Sequence, residues 1–325
     1  SPFSLELAAV GPPGGRLLFL GFASGRSSGR LVDSEVSGAG RRPLILRLSV
    51  EKGMRMAERT KHEPGTFSWV ELATKDGAAA KRFYTSLFGW SVNEFPVGEG
   101  MTYSMLEKNG KQAEVDDMAV PDGSVYTMLK KNGKQVGAMY QMGPQQGGVP
   151  PHWNSYVSVA SADASAVKAK SLGATVMVEP FDVMDAGRMA VVSDPTGAVV
   201  SLWEPRRQIG AQLVNEPGSF CWNELYTTDP RKAADFYSGL FGWTKDARHM
   251  DFGEYVIFVH GGRQMCGMMQ VPKEWGPVPP HWLVYFAVED CDASVAKAPD
   301  PGGIRIEMFE FGPASPQGKA IASWK

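Results

Sequence analysis

"EPGTFSWVELATKDGAAAKRFYTSLFGW", residues 63–90, returns as "EPGSFCWNELYTTDPRKAADFYSGLFGW", residues 216–243, at a constant offset of 153. Within each copy the pattern changes period. "FSWVELAT" alternates between Gly65 and Asp76 and reads as a strand. Simple alternation puts Phe67, Trp69 and Glu71 on one face and Val70 and Leu72 on the other. Asp76 is placed to cap a helix in which Ala79, Ala80, Phe83, Tyr84 and Leu87 recur at helical spacing. Gly89 suits the left-handed residue that ends such a helix. The counterpart of Asp76, Asp229, precedes Pro230, and proline is favoured at the first helical position.

A second landmark, Val-Pro-Pro-His-Trp, occurs at 149–153 and again at 278–282, an offset of only 129. The first copy therefore carries 24 extra residues between landmarks. A smaller duplication accounts for nearly all of them: "YSMLEKNGKQ" at 103–112 recurs as "YTMLKKNGKQ" at 126–135, 23 residues later. One of these two is a supernumerary strand and turn; the sequence leaves open which. Internal repetition of this kind means homologous domains, here residues 62–208 and 214–325.

After the first helix come extended segments at 90–95, "YTMLKKNG" and "KQVGAMYQM", with Asn132-Gly133 as a hairpin turn. Beyond the Pro-Pro linker the order begins again. "WNSYVSVA" is a strand and Asp163 is read as the cap of the next helix. "ATVMVEPFDV", "GRMAVVSD" and "AVVSLWEP" are strands, the last two joined by the turn Asp194-Pro195-Thr196-Gly197. Each domain is thus two βαβββ units, an α+β architecture with four units in the chain.

The fourth unit departs from this. Pro299 and Pro301 fall inside the helix expected to run on from Asp292 and should stop it early, and Ser315 stands where the first domain has Asp194. Residues 1–61 are rich in Gly, Arg and Ser, show no sustained periodicity, and read as a disordered or non-native extension, with a natural start expected near Met54 or Met56.

The totals exclude several classes. Over 325 residues, 33 Lys and Arg nearly balance 35 Asp and Glu, which provides no electrostatic footprint for nucleic acid or an anionic membrane. The aliphatic cluster Leu17-Leu18-Phe19-Leu20 is too short to span a bilayer. Cys221, Cys266 and Cys291 are odd in number and far apart, so neither a disulfide framework nor a paired-cysteine metal site is expected, and a reducing cytoplasm is the simplest location. No phosphate-binding or dinucleotide-binding glycine motif and no Ser-His-Asp set stands out. A homodimer is compatible with the sequence.

Three features together resemble the vicinal oxygen chelate superfamily, which includes glyoxalase I, extradiol dioxygenases and bleomycin-resistance proteins. They are the Phe-Tyr-x-x-Leu-Phe-Gly-Trp helix ends, the junction Ser161-Ala162-Asp163-Ala164-Ser165, and "GRMAVVSDPTGAVVSLWEP" at 187–205. The resemblance covers about residues 63–325 and is strongest to tandem-domain bacterial members described as hydroxylase or glyoxalase-like. It implies that paired units curl into a half-open mixed β-barrel with helices outside. It also implies where metal-using relatives hold their ion: the first, fifth and last strands. Those positions fall here on Trp69 and Trp222, on Asn154 and Leu283, and on Ser201. Trp and Leu cannot ligate, and Ser and Asn rarely do. No metal or other cofactor is therefore expected, although a site built from His152 with Glu71 stays open.

The candidate ligand-binding set is Trp69, Glu71, His152, Asn154, Tyr156, Ser201, Trp203, Trp222, Glu224 and His281. Glu71 and Tyr156 are also the candidate acid–base pair. A carboxylate beside an aromatic side chain suits a polar ligand or proton transfer; equally, each Glu can serve only to hold neighbouring strands. His152 and His281 read best as two copies of one junction, each imidazole bonded to a backbone carbonyl. Three functions compete: a metal-free small-molecule binder; an enzyme, either a metal-dependent lyase or dioxygenase of the glyoxalase or extradiol type or a metal-free acid–base catalyst; and a structural or interaction protein whose cavities are filled by side chains.

Overall fold

The computed structural model describes residues 6–8, 45–47, 57–96, 125–146, 148–250, 253–297, 307–310 and 319–321. Three short strands come first, β1 (Glu6–Ala8), β2 (Ile45–Arg47) and β3 (Ala57–Glu58). The first repeat then supplies β4 (Phe67–Thr74), α1 (Gly77–Phe88), β5 (Ser91–Pro96), β6 (Val125–Lys131) and β7 (Lys134–Gln141). The second supplies β8 (His152–Ser158), α2 (Ala162–Ser171), β9 (Thr175–Val183), β10 (Gly187–Ser193) and β11 (Val199–Pro205), followed by the short β12 (Leu213–Val214). The third is β13 (Phe220–Thr227), α3 (Pro230–Phe241), β14 (Thr244–Met250), β15 (Gly253–His260) and β16 (Arg263–Gln270). The fourth is β17 (His281–Val288), α4 (Cys291–Lys297), β18 (Glu307–Glu310) and β19 (Lys319–Ile321).

Local chemistry explains the boundaries. Asp76 accepts from Ala79 N at 2.8 Å and Asp229 from Lys232 N at 3.0 Å, which satisfies amides that have no partner within the helix. Gly89 and Gly242 close those helices at φ 65° and 73°. Asn132 and Gly133 both have positive φ, the geometry of a tight hairpin turn, and join β6 to β7. The second copy of the duplicated segment thus enters the sheet; the copy at 103–112 lies outside the described residues. At α2 the expected cap is corrected. Ser161, not Asp163, accepts from Ala164 N, while Asp163 sits in the first turn and holds Arg188 through two bonds of 2.7 and 2.9 Å. The hydroxyl of Ser161 already lies at the helix entrance, so the carboxylate two residues on is left to pair across the surface. Helix α4 ends at Lys297, two residues before Pro299.

Each pair of βαβββ repeats forms one larger unit, built on a single open sheet. The first has the order β5-β6-β7-β4-β8-β11-β10-β9, with the two opening strands β4 and β8 antiparallel at its centre. The second has the order β1-β2-β19-β18-β17-β13-β16-β15-β14, with β13 and β17 in the equivalent central position. Strand β18 lies parallel to β17, the place that β11 holds beside β8.

The simple alternation expected for the opening strand fails at one point. A bulge between Phe67 and Trp69 breaks the register of β4 against β8, and one between Phe220 and Trp222 does the same in β13. Phe67 is thereby turned from the Trp69–Glu71 face and packs on Trp243 and Trp282, with ring centroids 5.8 and 5.2 Å away.

The two units share one continuous core. Phe286 meets Phe88 at 5.2 Å and Trp153 at 4.8 Å. Two reciprocal bonds repeat the duplication: Trp90 Nε1 donates to Gly218 O, and Trp243 Nε1 to Gly65 O, each at 2.7 Å. Gly65 and Gly218 adopt φ of 85° and 83°, a conformation that favours glycine. Asp194, also buried, accepts through Oδ1 from Thr196 N, Gly197 N and Ala198 N and through Oδ2 from the Tyr237 hydroxyl of the second unit.

Candidate functional site

In the first sheet, residues in direct register share a face. Glu71 on β4 stands opposite Ala138 on β7 and Asn154 on β8. Trp69 is opposite Tyr156, which is in turn opposite Ser201 on β11. Met128 is opposite Ala138, and Tyr126 opposite Tyr140. The sequence candidates Trp69, Glu71, Asn154, Tyr156 and Ser201 are thus brought onto one face of the sheet.

At its centre is a carboxylate held by two phenols. Tyr126 donates its hydroxyl to Glu71 Oε1 at 2.8 Å and Tyr156 to Oε2 at 2.9 Å. Glu71 is 1% exposed and Tyr156 3%, whereas Tyr126 is half-buried. Hydrogen bonds to an ionised group are the stronger kind, so both phenols stabilise the charged carboxylate against the cost of burying it. Tyr140 stands nearby; its hydroxyl pKa is pushed up, first by burial and then by the negative charge of Glu71. The side chains of Gln146 and Asn154 hydrogen-bond the Tyr140 hydroxyl and oppose that shift.

The same constellation occurs in the second sheet. Tyr255 donates to Glu224 Oε2 at 2.6 Å and Tyr285 to Oε1 at 3.0 Å. Trp222 again precedes the Glu by two residues and is buried. Tyr126 and Tyr255, like Tyr156 and Tyr285, are related by the 129-residue offset. Sequence reasoning selected Tyr156 but passed over Tyr126, Tyr255 and Tyr285. The signal was present: these tyrosines recur at matching positions beside the recurring Glu.

The remaining candidates have other partners. His152 Nδ1 is 2.9 Å from Pro150 O and His281 Nδ1 2.8 Å from Pro279 O, so each ring is fixed by its own Pro-Pro segment. His281 also stacks on Tyr226, with centroids 5.5 Å apart. Trp203, buried, donates its indole N–H to Gln208 O at 2.8 Å and does not bond the Glu71 group.

This arrangement can be set beside known proteins. Residues 66–202 and 219–308 match the Glyoxalase/Bleomycin resistance protein/Dioxygenase superfamily. The chain belongs to this superfamily. Among superfamily relatives it is 42% identical over 251 residues to a protein named putative glyoxylase CFP32 in Mycobacterium tuberculosis and Mycobacterium bovis, covering 76% of this chain and 87% of that one. It is 32% identical over 244 residues to the anthracycline biosynthesis protein DnrV of Streptomyces peucetius, covering 75% and 84%. A solved superfamily structure, the Mn(II)-bound glyoxalase from Novosphingobium aromaticivorans, aligns at a TM-score of 0.46 and 14% identity over 73% of this chain and 69% of that one.

The superfamily resemblance implies a divalent metal, and the side chains at the implied positions do not fit one. Trp69 and Trp222 have no donor lone pair to give, Leu283 is apolar, and Asn154 and Ser201 are neutral and weak ligands. Among the described residues no three His, Cys, Asp or Glu side chains converge. Among the described residues, His152 and Glu71 belong to no such group of three.

Proposed function

We propose that the Glu71 face of the first unit binds a small aromatic molecule carrying a hydroxyl group. The observation that carries this reading is the contact of half-buried Tyr126 with Glu71 Oε1. A phenol already sits on the buried carboxylate, and a ligand hydroxyl can take its place with little change in hydrogen bonding. Trp69 and Tyr156 supply aromatic walls, and Asn154 and Ser201 supply polar handles, the composition of a small-molecule pocket. The name of one relative, an anthracycline biosynthesis protein, supports hydroxylated aromatic chemistry. A near-neutral charge balance supports neither nucleic acid nor an anionic membrane as partner, and no described helix is long and apolar enough to cross a membrane. The buried cysteines Cys221, Cys266 and Cys291 favour a reducing compartment, the cytoplasm.

A second reading is proton transfer. A buried carboxylate in contact with the Tyr156 O–H is the pairing a general base and acid require, and it suits an enzyme whose relative bears the name putative glyoxylase.

A thermal-shift series with 4-nitrophenol and 1,4-dihydroxyanthraquinone tests the binding reading. Selective binding to the native state raises the melting temperature with ligand concentration. The expected result is a saturable rise that Glu71→Gln abolishes; no rise with either probe refutes it.

A further inference from the structure

The two Glu–Tyr–Tyr groups are equivalent in sequence but not in surroundings. Passing from the first sheet to the second at the 129-residue offset, Lys130 becomes Val259, Tyr140 becomes Met269, Asn154 becomes Leu283 and Ser158 becomes Ala287. The Glu224 face forms its own apolar cluster of Cys221, Trp222, Tyr255, Ile257, Tyr285 and Ala287. Two further exchanges close it. Ala138 corresponds to Gly267, beside Glu224, and a Cβ at Gly267 would fall on the Tyr255 hydroxyl. The missing methyl lets Tyr255 fold over that strand and become fully buried, while Tyr126, on the strand paired with that of Ala138, stays half-buried. Ala73 corresponds to Tyr226, whose ring lies between Trp275 at 5.1 Å and His281 at 5.5 Å, a plug across the end of the sheet that Ala73 cannot make.

We infer that the chain carries one ligand site, on the first unit, and that the Glu224 site is held shut by Tyr255 and Tyr226. The residues at 138/267 and 73/226 set the difference. The first unit keeps the polar, accessible form of the group; the second has turned its phenols and apolar side chains into the ligand of its own carboxylate. This deepens the binding reading above, because it says which copy is competent and which substitutions opened or closed it.

Acetylation of the full-length chain by N-acetylimidazole, read residue by residue by mass spectrometry, tests the closure without any ligand. A buried hydroxyl is reached only through local opening, so Tyr255 and Tyr226 should react at least about tenfold more slowly than Tyr126 in the native protein. Gly267→Ala should bring Tyr255 to a rate near that of Tyr126. Tyr226→Ala, which removes bulk without demanding space, should expose Tyr255 in the same direction and serves if Gly267→Ala does not fold. Equal acetylation of Tyr126 and Tyr255 in the unmodified chain overturns the inference. Calorimetry with 4-nitrophenol separates the two readings. One equivalent bound per chain supports both, and two equivalents overturn the closure. No binding, with Tyr255 still protected, overturns the ligand reading and leaves the closure standing.

Discussion

Replacing Glu71 by Gln keeps the shape of the side chain and removes its charge. The carboxylate accepts hydroxyls from Tyr126 and Tyr156 at 2.8 and 2.9 Å. Hydrogen bonds to a charged group contribute about 1.5–3 kcal/mol and neutral ones about 0.5–1.5, so the exchange costs about 1–1.5 kcal/mol per bond, or roughly 2–3 in all. Against this, a side chain that is 1% exposed no longer has to bury a charge, and the effective cost of doing so is several kcal/mol. The two terms oppose each other, and the net change in unfolding free energy should fall within about 1 kcal/mol of zero. Glu71→Ala is different. It leaves both hydroxyls without their acceptor and opens a void, and should cost about 3–5 kcal/mol. Urea unfolding with an unchanged m-value measures both. In the same preparations Glu71→Gln should lose the thermal response to 4-nitrophenol, whereas Glu224→Gln should retain it. A Gln variant destabilised by more than about 3 kcal/mol would refute the reasoning, since Glu71 would then serve the fold before any ligand.

Other consequences follow from the geometry. Trp90→Phe and Trp243→Phe each strand one glycine carbonyl at the junction between units, and each should cost about 1–3 kcal/mol, with similar values because the contacts are reciprocal. Tyr84, Tyr140, Tyr237 and Tyr255 all have hydroxyl pKa values raised, chiefly by burial. A group raised in this way contributes stability that is intact below the unfolded value, about 10 for tyrosine, and is lost as pH climbs above it. Thermal stability should therefore fall steeply above about pH 10, and tyrosinate absorbance should rise together with unfolding rather than before it. Cys221 and Cys266 are buried with thiol pKa values pushed up, so a disulfide reagent should find them only after denaturation.

Much of the fold was legible in the sequence because its signals are local. The period switch from 2 to 3.6 at Asp76, the glycine at 89 and the Asn132-Gly133 turn each fix backbone geometry within a few residues, and the repeat multiplied every one of them. The bulge beside Ser68 was not legible, because it depends on how β4 registers with β8, which is 85 residues away in sequence; alternation alone put Phe67 on the wrong face. Ser161 and Asp163 are both good caps by type, and only the position of Arg188 decides between them. Of the site, Trp69, Glu71 and Tyr156 could be read from strand parity. Strand parity does not reach Tyr126, which approaches Glu71 across β7 and lies in a segment duplicated at 103–112; its one mark in the sequence is its recurrence as Tyr255 at the 129-residue offset. The difference between the two Glu groups rests on Ala138 against Gly267 and Ala73 against Tyr226. As sequence these are ordinary exchanges, and they matter only through the close approach of Tyr255 to Gly267 and the seat of Tyr226 between Trp275 and His281.

The most direct test is an absorbance titration of 4-nitrophenol with the unmodified chain and with Glu71→Gln. A phenol that keeps its proton and donates a hydrogen bond to a buried carboxylate is held neutral, so binding should deplete the yellow phenolate band in proportion to protein and saturate at one equivalent, with no depletion by Glu71→Gln. Depletion that survives Glu71→Gln but disappears with Glu224→Gln would contradict the account.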